Sequence, residues 1–249
     1  MTILCRSAAL PLLLSAAGSG FGRRRAATAM MHAATPAASG SIEVERKFQP
    51  PSDAEALRKS VEAAGGEVVG EVRFTDTYFD TSACALTRRD IWLRRRDEAW
   101  ELKLPVEGDA RRSGGERTVF REIEGAAPVN DALRTLLPAD QAGAALEETL
   151  RLADAKPFAE FATTRAKYKL GGCALDADVA SFGHAVLEIE VLVSDEAEVP
   201  AAEAEIERVA TLVGAQPLEK ALGGKLETYI RRHAPDVLAA LVEEGILQP

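Results

Sequence analysis

Residues 42–48 read Ile-Glu-Val-Glu-Arg-Lys-Phe, and the alternation of charge along this run constrains the fold more than any other feature of the chain. In an extended strand successive side chains point to opposite faces. Glu43, Glu45 and Lys47 therefore share one face, and Ile42, Val44, Arg46 and Phe48 share the other. Two carboxylates and an ammonium group in a row are costly to bury unless each charge is compensated. Metal ions compensate carboxylates, and phosphates compensate ammonium groups. Taken alone, the strand reads as a solvated face with three ordinary surface charges.

The pattern recurs. Trp92, Arg94 and Arg96 share a face in the run Ile91–Arg96, and Glu101 and Lys103 oppose Trp100, Leu102 and Leu104. Thr163, Arg165, Lys167 and Lys169 share another face. Asp176 and Asp178 pair in the same way after Gly171-Gly172, and Glu188 and Glu190 oppose Leu187, Ile189 and Val191. One such strand is ordinary in a half-exposed antiparallel sheet. Six of them predict a closed barrel with a charged lumen and an apolar exterior covered by helices.

That lumen suits a metal–polyphosphate complex. A triphosphate leaves water only where cations surround it, and the planar arginine fork matches phosphate oxygens. Lys47, Arg94, Arg96, Lys103, Arg165 and Lys169 are the candidate cations by alternation, with Lys220 and Lys225 added from the last helical region. Glu43, Glu45, Asp176, Asp178, Glu188 and Glu190 form a candidate acidic wall, and magnesium or manganese prefers such oxygen ligands. Phosphoryl transfer needs mainly positioning and charge neutralisation, with a metal-activated water completing a hydrolysis. The general base is left unassigned by these patterns. The chain has no Walker loop and no Gly-x-Ser-x-Gly elbow. His32, His184 and His233 have no ligand spacing.

Charge narrows the partners. Residues 1–42 hold four arginines and no acid, which leaves 26 basic against 39 acidic residues in the remainder, net −13. Such a domain repels nucleic acid and anionic membrane in general, so a polyanion can bind only where cations are gathered locally. The expected partner is a small-molecule triphosphate, with neither nucleic acid nor membrane, and the chain is expected to be a monomer. Cys5, Cys84 and Cys173 suggest no disulfide framework and no zinc site.

Residues 1–40 read as a leader, either an organellar transit peptide or simply disordered, with Arg23-Arg24-Arg25 as its basic cluster. The apolar stretch Ala8–Leu14 could also be a signal-peptide core, but it is too short to span a bilayer. A transit peptide would place the protein in a mitochondrion or plastid; otherwise it would be cytoplasmic. The remainder is long enough for one barrel-sized domain. Ser52 and Glu55 stand at capping-box spacing ahead of a helix that Gly65-Gly66 stops. Residues 67–80 and Thr118–Glu124 read as strands around a polar loop at Glu107–Gly115. Residues 129–153 read as helical with a break near Pro138, Pro200–Leu212 as an amphipathic helix, and Pro217 onward as helix interrupted by Gly223-Gly224 and Pro235. The class is α+β.

Glu43-x-Glu45-x-Lys47 resembles the signature of the CYTH superfamily, the triphosphate tunnel metalloenzymes. The runs Asp76-Thr-Tyr-Phe-Asp-Thr81, Trp92-Leu-Arg-Arg-Arg96, Trp100-Glu-Leu-Lys103, Phe182-Gly183, Glu188-x-Glu190 and Glu196-Ala-Glu-Val-Pro200 follow in the order seen in its animal-type thiamine triphosphatases. The resemblance covers about residues 41–232 and leaves residues 233–249 as a C-terminal helical tail. It implies an eight-stranded antiparallel β-barrel with helices packed outside, whose tunnel binds a triphosphate with Mg2+, or Mn2+ in its place. It implies metal-binding acids at Glu43, Glu45, Glu188 and Glu190, with Asp176 close to the metal and the phosphates. Lys47, Arg94, Arg96, Lys103, Arg165 and Lys225 match phosphate-binding cations, and Trp92 matches an aromatic that stacks on the thiamine moiety. The implied reaction is hydrolysis of thiamine triphosphate. An inorganic tripolyphosphatase, a class IV-like adenylyl cyclase and a non-catalytic polyphosphate-binding module are the alternatives, the last opposed by the retention of both glutamate pairs. Two positions depart from the pattern. His184 stands where a tyrosine is usual, and Leu187 replaces a glycine.

Overall fold

The alternating strands close on themselves. The computed structural model describes residues 40–106, 117–219 and 223–249. The leader before Gly40, the polar loop expected at Glu107–Gly115 and the candidate cation Lys220 lie outside the described residues. The strands are β1 (Ser41–Phe48), β2 (Glu67–Asp80), β3 (Trp92–Arg96), β4 (Ala99–Pro105), β5 (Arg117–Glu124), β6 (Lys156–Leu170), β7 (Cys173–Ala180) and β8 (His184–Val193). They form one closed antiparallel barrel in the order β1-β5-β4-β3-β2-β6-β7-β8, with β8 returning to β1. Closure leaves neither β1 nor β8 as an edge, and it turns one face of every strand inward.

The six α-helices among the described residues are α1 (Ala54–Ala63), α2 (Ala126–Leu136), α3 (Leu146–Leu152), α4 (Val199–Val213), α5 (Lys225–His233) and α6 (Pro235–Glu243). Along α4, Ala202, Ile206, Val209, Ala210 and Val213 are buried at helical spacing. With Leu57 and Val61 of α1 they cover the outward side chains Ile42, Val44, Leu175, Leu187 and Ile189. Each fully buried large apolar side chain here contributes about 1.5–3 kcal/mol. Val129 and Leu133 of α2 and Leu146 of α3 cover Leu93, Leu102, Leu104 and Ile123 in the same way. A third cluster joins α5 and α6 to Tyr78, Trp92 and Phe120. All described residues belong to one compact unit. No helix among them is long and apolar enough to cross a membrane.

Two local expectations are corrected. Asp53 rather than Ser52 caps α1, accepting the Glu55 N–H at 2.9 Å from an extended backbone. It directly precedes the first helical residue, and its charge also favours the helix N-terminus. The helix expected from Pro217 starts at Lys225 instead. Gln49 N–H donates to the Gln216 carbonyl at 2.9 Å and Pro217 bridges Phe48, so this segment extends the end of β1. Leu187, the larger replacement for a glycine, is buried in the outer apolar layer and leaves the tunnel unobstructed. His184 lies buried and parallel to the Phe182 ring, 6.0 Å away, and burial followed by Lys225 and Arg232 holds its pKa down.

Candidate active site

Strand register assembles the site. Glu45 of β1 lies opposite Glu190 of β8, and Lys47 opposite Glu188. Asp176 of β7 lies opposite Glu188 on one side and Lys167 of β6 on the other, while Arg165 faces Asp178. Asp76 of β2 faces Arg96 of β3, and Arg94 faces Glu101 of β4. The inward faces enclose a cavity of about 310 Å³. Every described residue named above as a phosphate or metal candidate lines it, except Lys169, which is exposed, and Asp178, which is buried behind Arg165.

The acidic candidates divide into two groups. Glu43, Glu45 and Glu190 each bring a carboxylate oxygen within 4.8 Å of the others. Like charges directly opposite on neighbouring strands destabilise a sheet, so a cation is the natural complement. Burial, with Glu43, Asp176 and Glu45 adding to it, raises the Glu190 pKa well above the usual carboxylate range. Asp176 shows the same strain: burial is the main cause, and its Oδ1 is buried without a hydrogen-bond partner. An oxygen-only set of this kind fits a hard divalent cation.

Glu188 belongs to the other group. It accepts from Lys225 Nζ at 2.7 Å and Arg165 Nη2 at 3.1 Å. Burial pushes its pKa up, yet Lys225, Arg165 and Lys47 together hold it far below the ordinary value. Asp178 accepts from Arg165 Nε and Nη2 at 2.7 Å each and also from Lys225, and Asp176 accepts from Arg165 Nη1. These acids thus hold Arg165 and Lys225 aimed into the tunnel. Lys225 opens α5, and Gly224 just before it packs so closely that a Cβ would sit 2.8 Å from Lys47 Cε. A larger residue there would have to displace the end of the Lys47 side chain.

The remaining cations are also held. Arg94 Nη2 donates to both oxygens of Glu101 at 2.6 Å, and Arg96 donates to Asp76 at 2.8 and 2.9 Å. Burial opposes the Glu101 charge, but Arg94 and Lys103 pull its pKa down to about 2. Lys103 reaches Glu43 and Glu122. Burial disfavours its charge, yet Glu43, Glu122 and Glu101 raise its pKa well above the ordinary lysine value. Arg95 points outward instead, within 5.9 Å of the Phe79 ring centre and 5.8 Å of the Trp100 ring centre. Trp92 is 6% exposed, lines the cavity and donates Nε1–H to Asp90 at 3.0 Å.

Sequence reasoning missed Asp76, Glu101 and Glu122 as partners of these cations. Glu101 shares its face with Lys103, so the signal was present. Asp76 and Glu122 become visible only through pairing across strands.

Fold and lining define a charged-lumen barrel shaped for a polyanion. The CYTH domain family matches over residues 41–224. The chain belongs to that family. The thiamine-triphosphatase of Homo sapiens is 36% identical over 218 residues, spanning 83% of this chain and 91% of the relative. That of Macaca fascicularis is equally similar over the same share of each chain. Among solved structures, a Hippeastrum protein described as a candidate adenylyl cyclase with a dominant triphosphatase activity has a TM-score of 0.50 at 16% identity, covering 79% of this chain and 98% of that one. At that identity the likeness speaks for the fold.

Proposed function

We propose that this protein hydrolyses thiamine triphosphate to thiamine diphosphate and phosphate. The observation that carries the reading is a tunnel lined by a cluster of three carboxylates and by cations that neighbouring acids hold in place, in a chain similar along most of its length to thiamine-triphosphatases. Arg94, Arg96, Lys103, Arg165, Lys47 and Lys225 hold the phosphate chain and offset its charge as the terminal phosphoryl group transfers. Water oxygen bonds to the terminal phosphorus, the bridging P–O bond breaks, its electron pair leaves with the diphosphate, and the proton that the water loses passes to solvent. Glu43, Glu45 and Glu190 would hold the divalent cation, Mg2+ or Mn2+. When bound, it offsets further phosphate charge and polarises the phosphoryl oxygens. Glu188 and Asp176 orient the cations that grip the substrate. The substrate is a small molecule, and the protein acts on it as a monomer.

Trp92 is assigned to the thiazolium ring. Its indole stands two residues from Arg94 on the same inward face, about 7 Å along the strand. A cationic ring over an indole gains about 1–2 kcal/mol when partly desolvated. A panel of thiamine triphosphate, tripolyphosphate and ATP, assayed with Mg2+, tests the function. Thiamine triphosphate should give the highest kcat/KM, and Trp92→Ala should lower its advantage over tripolyphosphate by about tenfold. A wild-type preference for tripolyphosphate would overturn the thiamine reading. Equal losses on both substrates would make Trp92 a packing residue.

The raised Glu190 pKa gives a pH dependence. A proton on Glu190 competes with the cation, so the Mg2+ concentration for half-maximal activity should fall as pH rises toward that pKa and level off above it. Titrating Mg2+ at several pH values checks this. A half-saturation point independent of pH would place the cation away from Glu190.

A further inference from the structure

Among the described residues the tunnel lining includes an apolar stretch, and three of the side chains that make it lie beyond the residues matched by the family. Leu226 and Ile230 of α5 and Leu247 after α6 line the same cavity as Trp92. Leu247 is 4% exposed and shares an apolar cluster with Trp92, Ile230 and Leu241. It is brought there by a built turn. Gly245 takes a left-handed backbone, φ 71°, that other residues rarely adopt. Its N–H donates to the Val242 carbonyl at 3.0 Å, and Ile246 N–H donates to the Leu241 carbonyl at 2.9 Å, so the chain reverses at the end of α6. Arg231 Nη1 then donates to the Gln248 carbonyl at 3.0 Å while its other nitrogens hold Glu227.

The geometry points to this C-terminal turn as a specificity wall, with Leu247 as the side chain that seats the organic group of the substrate and Arg231 as the residue that positions it. The inference rests on the thiamine triphosphate reading and extends it. Phosphates occupy the charged lining and gain nothing from an apolar one. Only a substrate with an organic group can bury surface against Leu247, Ile230 and Trp92, so the wall favours an organic triphosphate over an inorganic one.

The test is the ratio of kcat/KM for thiamine triphosphate to that for tripolyphosphate, with melting followed by circular dichroism. Leu247→Ala removes three carbons from the seat and should lower the ratio about tenfold, mainly through KM for thiamine triphosphate. Leu247→Met, of similar volume, should restore most of it. Arg231→Ala cuts the hold on Gln248 without opening the core and should lower the ratio in the same direction. If Leu247→Ala melts below the assay temperature, Arg231→Ala decides. An unchanged ratio in a folded variant of a thiamine-preferring enzyme overturns the wall alone. A wild type that prefers tripolyphosphate overturns the wall and the thiamine reading together.

Discussion

Arg94→Ala and Arg96→Ala should each lower kcat/KM for the triphosphate by about 100-fold, or about 2.7 kcal/mol, whereas Arg95→Ala should leave it nearly unchanged. The three arginines are consecutive, so the contrast isolates direction from composition. Arg94 and Arg96 are held inward on Glu101 and Asp76. Each presents a fork that was oriented before substrate arrived, which avoids ordering the side chain during the reaction. Arg95 lies over Phe79 and Trp100 on the outside, and its loss removes packing rather than phosphate contact. Steady-state kinetics on the three variants, with melting temperatures alongside, read both effects. Equal kinetic losses at all three positions would refute the assignment of the inward face to phosphate.

Glu190→Gln should lower kcat by at least about 100-fold while leaving metal-free stability equal or higher. Gln keeps the shape of Glu190 but removes one member of the oxygen cluster with Glu43 and Glu45. The stability sign follows from linkage. A carboxylate whose folded pKa lies above its unfolded value costs stability as pH rises from the ordinary value of 4.5 through the raised one. Gln carries no such charge, so the metal-free fold is relieved of repulsion from Glu43, Asp176 and Glu45. Thermal melts in chelator, with and without the substitution, measure this beside activity in Mg2+. Full activity in the variant, or in chelator-treated wild type, would reject the cation site.

The two predictions draw on different sources. Alternation alone put Arg94 and Arg96 on one face and Arg95 on the other, because the two-residue period of a strand is local and survives in the sequence. The same period picked out Glu43, Glu45, Lys47, Lys103, Arg165, Glu188 and Glu190, and charge repeated on single faces of six strands pointed to a barrel with a charged lumen.

Which acid meets which base was decided by the tertiary structure. Glu188 and Glu190 are indistinguishable in sequence, two residues apart on one face. Register sets Glu190 opposite Glu45, where carboxylates crowd, and Glu188 opposite Lys47, within reach of Lys225 and Arg165. Asp76, Glu101 and Glu122 acquire their partners from neighbouring strands, and Leu247 reaches the tunnel only because Gly245 reverses the chain after α6. Faces are fixed by backbone periodicity within a few residues. Partners are fixed by strand order, register and helix docking, which depend on contacts between residues far apart in the chain.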